Sequence, residues 1–139
     1  MIITSFQSGQ ELPEQTMTVN REKLRAYAMA SGDHNPIHLD EEFAKSVGLP
    51  NVIAHGMYTM ALAGEAIRLW VRLWVGSDKD VVEFSTRFTK PVVVTSDRDT
   101  TITFSGRVGE VSESEVTVEV TALCEGVKVL GQTKARIRL

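Results

Sequence analysis

The sequence predicts an α+β fold in which an antiparallel sheet of about five strands wraps around one long helix. Two observations favour this architecture. From Val81 onward, apolar and polar residues alternate with the period of strands. Before that point, the stretch from Asn51 to about Val75 begins with a run that contains no Asp, Glu, Lys or Arg as far as Gly64. A helix that is apolar on every side is expected to be buried, so we place this one against the sheet.

Length, charge and cysteine content narrow the class of protein. At 139 residues the chain has the length of one domain, and we expect residues 1–139 to form a single domain. The net charge of −3 and the absence of a Lys/Arg cluster argue against nucleic-acid binding. The single Cys124 excludes an internal disulfide and fits a reducing cytoplasm. Residues 1–5 do not begin a signal peptide, and no uncharged apolar stretch reaches the ~18 residues that span a bilayer, so we expect a cytoplasmic protein.

Three shorter elements precede the long helix. An alternating run at residues 16–19 predicts an edge strand. Asn20 is a favourable N-cap for a helix over residues 21–30, and Asp40 for a second helix over residues 41–47. The connection between the two predicted helices, residues 31–40, is therefore short and has defined ends.

Four strands are predicted after the long helix, at residues 81–88, 100–111, 116–123 and 127–139. The turn-like connections between them predict that strands adjacent in sequence pair antiparallel. A sheet curled around one helix leaves an edge strand and some apolar surface uncovered, so we expect a dimer.

The run 31–38 (Ser-Gly-Asp-His-Asn-Pro-Ile-His) contains the candidate chemistry. Pro36 lacks a backbone N–H and disfavours helical backbone at Asn35, so Asp33 and His38 lie on a turned segment where their side chains can converge. Such a pair can hold one water and transfer protons at neutral pH, since the unperturbed pKa of histidine is about 6.5. The pattern alone leaves a second interpretation open, in which Asp33 caps the turn and His38 is a half-buried structural residue.

No metal or cofactor is predicted. Asp33, His34 and His38 could be regarded as metal ligands, but Pro36 breaks the helical spacing that would point both imidazoles the same way. We expect His34 to be solvated and His55 to be a structural group at a helix start. Phosphate-binding loops, dinucleotide-binding glycine motifs and nucleophile elbows do not occur in the sequence.

Two motifs at a fixed distance together resemble a known family. The run 31–38, preceded by Tyr27, is followed by the run 53–57 (Ile-Ala-His-Gly-Met), and residues 87–92 (Arg-Phe-Thr-Lys-Pro-Val) add a weaker third motif. These runs are similar to the signature of the MaoC-like, R-specific enoyl-CoA hydratases (hydratase 2) and the related 3-hydroxyacyl dehydratases. The resemblance implies a MaoC-like hot-dog domain that reversibly hydrates trans-2-enoyl thioesters to (R)-3-hydroxyacyl thioesters in fatty-acid metabolism.

The resemblance also implies roles for individual residues. Asp33 and His38 would be the catalytic pair, and the Gly56 backbone N–H would bind the thioester carbonyl. A glycine at a helix start suits that role, because the first N–H groups are unpaired and the helix dipole favours negative charge there. The supporting residues of the turn would be Ser31, Gly32 and Asn35.

Two further positions concern the substrate. Arg87 and Lys90 are candidates for binding the phosphate groups of CoA or acyl carrier protein. Some family members carry a small hydroxylated residue on the buried helix near the catalytic histidine, whereas this sequence has Gly64.

The sequence leaves alternative functions and partners open. The motifs also resemble the catalytic subunit of heteromeric type II fatty-acid-synthase dehydratases, so the partner can be either a second copy or another hot-dog subunit. A non-catalytic acyl-binding or scaffolding subunit is the second hypothesis, and the presence of both Asp33 and His38 argues against it. A thioesterase of this fold would place its acid or base on the buried helix, which has no carboxylate before Glu65.

Overall fold

The computed structural model describes residues 6–139, and the expectation about residues 1–5 lies outside the described part. A six-stranded sheet and one long helix make up most of the structure. The elements in chain order are β1 (Glu11–Val19), α1 (Arg21–Ser31), a short 3₁₀ helix (Pro36–His38), α2 (Glu41–Ser46), α3 (Gly56–Val75), β2 (Val81–Phe88), β3 (Thr100–Val111), β4 (Glu115–Cys124), β5 (Val127–Lys128) and β6 (Leu130–Arg138). The predicted α+β class, with an antiparallel sheet and a long helix, is confirmed.

The strands follow the order β1-β3-β4-β6-β2, all antiparallel, and the two-residue β5 pairs with β4. The single strand predicted over residues 127–139 is therefore divided at Val129. Glu125 and Gly126 both have positive φ, which is the geometry of a tight hairpin between β4 and β5. Beyond this hairpin the chain enters β6, which pairs with a different part of β4.

The prediction that strands adjacent in sequence always pair is wrong for β2 and β3. β2 lies at one edge beside β6, whereas β3 lies between β1 and β4. The reason is the connection 89–99, which is not a simple turn. Its middle residues pair with the segment before α3: the Ala54 N–H donates to the Val92 carbonyl and the Val94 N–H to the Val52 carbonyl, both at 2.8 Å.

This pairing also explains why α3 begins at Gly56 and not at Asn51. Residues 52–54 are extended along the connection, so their uncharged character reflects burial in a non-helical segment. Helix α3 then packs its buried face, including Ala63, Ile67 and Trp70, against the sheet.

The expectation that the uncharged start of the helix is buried on every side is wrong for the single chain, because Met57 and Ala61 are exposed. Leu69 is 40% exposed and Leu73 is 47% exposed, and Met57 at the helix start is also exposed. The sheet covers one face of the helix only, so the apolar residues of the opposite face remain uncovered. No helix within residues 6–139 is both long and apolar enough to span a bilayer.

Strand β1 is longer than predicted because it continues through Pro13. The register shifts between Leu12 and Gln15, as expected where proline lies in an edge strand. The Pro13 carbonyl accepts a hydrogen bond from the Trp70 indole N–H at 2.7 Å, and the Gln15 amide donates to the Ala66 carbonyl at 3.1 Å. These bonds attach α3 to the edge of the sheet.

Candidate active site

The turn that carries Asp33 is built from short-range hydrogen bonds. Helix α1 ends at Gly32, whose φ of 80° is left-handed and whose N–H donates to the Ala28 carbonyl at 2.9 Å. The Asp33 N–H then donates to the Ser31 hydroxyl at 3.1 Å, and the Asp33 carboxylate accepts from the Asn35 N–H at 3.1 Å. Ser31, Gly32 and Asn35 thus hold the turn, and Asp33 is itself part of it.

His38 ends the 3₁₀ helix and is buried. Its Nδ1 lies 2.7 Å from the Ile53 carbonyl oxygen. Because a carbonyl only accepts, Nδ1 carries the hydrogen in the neutral ring and Nε2 presents the lone pair. The Ile53 N–H in turn donates to the Ile37 carbonyl at 3.2 Å. The carbonyl and the N–H of Ile53 therefore both hold the 3₁₀ helix, and the carbonyl selects the tautomer whose basic nitrogen is Nε2.

His55 lies between these two residues, closer to the candidate pair than the sequence suggested. Its Nε2–H donates to the main-chain carbonyl of Asp33 at 3.1 Å, and its ring stacks on that of His38 with the centroids 4.0 Å apart. The Tyr27 ring meets His55 edge-on at 4.7 Å. Burial lowers the pKa of His55, since the charged imidazolium would lose its hydration.

The three titratable groups are close together. One carboxylate oxygen of Asp33 and one ring nitrogen each of His38 and His55 lie within 4.8 Å of one another. Two hydrogen bonds through one water span about this distance, so a single water can bridge Asp33 and His38.

The same cluster is poorly arranged for a metal ion. The rings of His38 and His55 are stacked at an interplanar angle of 26°, so their in-plane lone pairs run side by side and do not converge on one point. Each ring also uses one nitrogen on a main-chain carbonyl. His34 is exposed and outside the cluster. The absence of a metal site stays a prediction.

A pocket of about 340 Å³ opens beside His38 and reaches the start of α3. Most of its wall is apolar, as is usual for pockets that take acyl chains or similar ligands. Asp33 is exposed and is not among the wall residues. The wall consists of His38, Ile53, Ala54, Gly56, Thr59, Phe88, Thr89, Lys90, Pro91, Val92, Val129 and Leu130.

Gly56 is the first residue of α3, where a backbone N–H has no partner within the helix. A Cβ at this position would lie 3.2 Å from three carbons of the Phe88 ring. The glycine therefore leaves a narrow space between the helix start and Phe88, within the pocket wall.

Of the two basic candidates, the structure brings one to the pocket. Lys90 is part of the wall, whereas Arg87 is exposed and lines a separate surface depression with Glu119 and Lys134. Gly64 lies further along α3, where its Cα faces the Phe84 ring, and it is not part of the pocket wall.

Sequence reasoning missed Thr59, a buried residue in the pocket wall whose hydroxyl makes a long hydrogen bond of 3.5 Å to the His55 carbonyl. The signal was its position three residues after Gly56, which places both on one face of the helix.

It also missed Asn51, which connects the segment before α3 to two helices. The Asn51 amide N–H₂ donates to Glu41 of α2 at 2.8 Å, and its oxygen accepts from the Arg21 guanidinium of α1. The bond from Asn51 and the nearby Lys45 lower the pKa of Glu41. These contacts fix the segment that supplies the Ile53 carbonyl.

Known proteins with similar sequences include dehydratases and a hydratase. Among the curated relatives, 3-hydroxyacyl-thioester dehydratase X of Mycobacterium tuberculosis is 42% identical over 84 residues, which is 59% of this chain and 27% of the relative. The chain thus matches about a quarter of the length of that relative.

Solved structures match over nearly the whole chain. One described as a MaoC-like dehydratase has a TM-score of 0.86 at 36% identity and covers 96% of this chain and 41% of its own. R-hydratase PhaJ1 from Pseudomonas aeruginosa has a TM-score of 0.80 at 28% identity, covering 95% of this chain and 81% of its own. The hot-dog fold that the motifs implied is confirmed.

Some proteins of this fold form complexes of two different subunits. The HadBC complex of 3R-hydroxyacyl-ACP dehydratase from Mycobacterium tuberculosis matches with a TM-score of 0.73 at 19% identity, covering 99% of this chain and all of the matched chain, a likeness of fold alone. A family model described as "MaoC like domain" matches residues 5–125, which is most of the chain. The chain therefore belongs to the MaoC-like domain family.

Proposed function

We propose that this chain is a hydro-lyase that reversibly adds water to trans-2-enoyl thioesters and forms (R)-3-hydroxyacyl thioesters in fatty-acid metabolism. The observation that carries the proposal is the state of His38. Its Nδ1–H is held by the Ile53 carbonyl, so the lone pair is on Nε2; the ring lines an apolar pocket, and one of its nitrogens lies within 4.8 Å of an Asp33 carboxylate oxygen. The relatives named as dehydratases and R-hydratases support the same reaction class.

The reaction follows from these groups. A water held between Asp33 and His38 attacks C3 of the enoyl chain, so a C3–O bond forms and the water gives up one proton to the pair. The pair delivers a proton to C2 as the C–C double bond is lost. We assign the two transfers to Asp33 and His38 jointly, because a coupled pair titrates as a unit.

Negative charge develops on the thioester oxygen during both transfers. We propose that this oxygen lies at the Gly56 N–H, where the unpaired donor and the dipole of α3 favour it. Lys90 at the pocket wall is the better placed of the two basic candidates for the phosphate groups of acyl-CoA or acyl carrier protein. Arg87 would contribute only at longer range.

The test is a hydration assay on trans-2-enoyl-CoA substrates of several chain lengths, with Asp33→Asn and His38→Ala beside the parent. General acid–base groups contribute roughly 10²- to 10⁴-fold, so each variant should lose rate by that amount. His34→Ala is the matched control, since His34 is exposed and outside the cluster, and it should keep the parental rate. Parental rates in both Asp33→Asn and His38→Ala would overturn the assignment.

We further propose that the active form is a dimer with a second copy of this chain. Strand β2 is an edge of the sheet, and Val81 on it, like Leu69 and Leu73 on α3, is an exposed apolar residue. The alternative is a heterodimer with another hot-dog subunit, in which this chain is either the catalytic subunit or a non-catalytic acyl-binding or scaffolding subunit. An inactive parent that gains hydration activity only with such a partner would favour the heterodimer, and a complex that keeps this activity with Asp33→Asn and His38→Ala would make this chain its non-catalytic subunit.

We place the protein in the cytoplasm, because Cys124 is buried and free, as in proteins of reducing compartments. We also propose that residues 1–139 form a single MaoC-like domain.

A further inference from the structure

His55 touches both members of the proposed catalytic pair and does not touch the pocket. Its side chain is 1% exposed and is absent from the pocket wall. One edge of the ring donates a hydrogen bond to the main chain of Asp33, and one face stacks on His38. Among residues 6–139, His55 is the residue whose side chain both bonds to Asp33 and stacks on His38, so it links the two.

We propose that His55 is the positioning residue of this site, fixing the backbone of Asp33 by its Nε2–H and the ring plane of His38 by stacking. The proposal rests on the proposed function and deepens it. Without the bond to His55, the turn at Asp33 is held only by its local bonds to Ser31 and Asn35, both on the exposed side. The distance between carboxylate and imidazole would then be free to vary, and a misplacement of about 1 Å can cost roughly 10²-fold in rate.

The protonation state of His55 suits a positioning role and argues against proton transfer. Its Nδ1 is buried and has no hydrogen-bond partner among residues 6–139. A proton added there would be a donor without an acceptor, next to the ring of His38. Burial accordingly lowers the pKa of His55, and the ring stays neutral with its single hydrogen on Nε2.

The surroundings of His55 are also suited to holding its ring still. Tyr27 of α1 packs edge-on against one side, and Tyr58 of α3 packs on Tyr27 with centroids 5.2 Å apart. The carbonyl of His55 accepts from the Thr59 N–H at 3.1 Å in the first turn of α3. The ring of His55 is therefore held by α1, and its main chain is held by the first turn of α3.

Two amide substitutions separate the hydrogen bond from the rest of the side chain. Glutamine places its amide N–H₂ near the former Nε2 and can reach the Asp33 carbonyl, whereas asparagine carries the same group one methylene shorter. We expect His55→Asn to lower kcat about 10²-fold and His55→Gln to recover at least tenfold of that loss. KM should stay within about threefold of the parent in both, because His55 does not contact substrate.

A third variant isolates the stacking contact. His55→Phe keeps a flat ring on His38 and loses the donor, and it also removes the buried unpaired Nδ1, so we expect it to fold. Its kcat should fall, but by less than that of His55→Asn, because the stacking contact that fixes the ring plane of His38 is kept. Urea unfolding midpoints establish that each variant is folded at the assay temperature.

The outcomes are distinguishable from failure of the proposed function. If Asp33→Asn and His38→Ala lose activity while folded His55→Asn and His55→Phe keep the parental kcat, the positioning role is wrong and the reaction assignment stands. Equal losses in His55→Gln and His55→Asn, or a loss expressed mainly in KM, would also overturn the positioning role. If Asp33→Asn and His38→Ala are fully active, both proposals fail.

Discussion

Gly56 lies where the chemistry and the packing compete for the same small space. Its Cα faces the ring of Phe88, which is 56% exposed and can therefore move. The proposed thioester oxygen would approach the same helix start from the pocket. A Cβ at this position would occupy the space beside Phe88 that the proposed thioester oxygen approaches.

We expect Gly56→Ala to lower kcat/KM by about tenfold or more while changing the free energy of unfolding by less than about 1 kcal/mol. Removing an oxyanion donor costs roughly 10²- to 10³-fold, and a methyl group that only crowds the donor should cost less. The double variant Gly56→Ala with Phe88→Ala removes the contact with the ring. If the double variant recovered parental kcat/KM, the loss would come from displacement of Phe88 and not from crowding of the donor.

The sequence predicts some residues of the candidate site and not others. Asp33 and His38 were predicted as a candidate pair because titratable groups around a proline turn carry a chemical signal, and Gly56 was predicted from the resemblance of the second motif to the family. His55 was predicted only as a structural group at a helix start, and Asn51 was not predicted, because their contacts are with main-chain atoms and side chains far away in the sequence. Ile53 contacts the 3₁₀ helix through its main-chain carbonyl and N–H, which every residue type except proline has, so the sequence does not reveal this contact.

The elements show a similar division. Strands β2 and β3 were predicted with their observed bounds, because alternation is a local property. The start of α3 was wrong, since residues 52–54 are held extended by residues 92–94, a pairing that local periodicity does not reveal. The place of β2 in the sheet was wrong for the same reason.

The contact between α3 and β3 depends on a second glycine. A Cβ on Gly106 would lie 2.7 Å from the Trp70 ring and 2.9 Å from the Leu12 side chain. On the same strand, a Cβ on Gly109 would meet nothing closer than 3.5 Å, which is ordinary contact. The two positions therefore form a matched pair in one strand.

We expect Gly106→Ala to lower the free energy of unfolding by roughly 1 to 3 kcal/mol, the usual cost of overpacking a core. Gly109→Ala should change it by less than about 0.5 kcal/mol, as for substitutions away from such features. Urea denaturation of both variants measures the difference. Equal stability in the two would mean that α3 can shift away from β3 without cost.

At the scale of the whole molecule, the exposed apolar residues of α3 and the free edge of β2 raise the question of assembly. The chain corresponds to 41% of one similar structure and to 27% of a curated relative, so in those proteins this domain is joined to further chain. A second domain or a second copy would cover the same kinds of surface.

We expect the purified parent to have the native mass of two chains by light scattering. Leu73→Glu places a charge on the exposed face of α3 and should shift the protein toward one chain, because burying an unpaired carboxylate in an interface is unfavourable. Glu110→Gln, an exposed position on β3, is the control and should leave the mass unchanged. A parent of two chains whose mass Leu73→Glu does not alter would place the interface elsewhere.

The carbonyl of Ile53 sets the tautomer of His38, and this choice of donor and acceptor has an evolutionary consequence. No amino-acid substitution removes a main-chain carbonyl, whereas a carboxylate or amide in the same place could be lost by a single codon change. The side chain at position 53, which lines the pocket, can thus change without loss of this bond. Which nitrogen of His38 is basic therefore depends on the backbone conformation at residue 53 and not on the type of residue there.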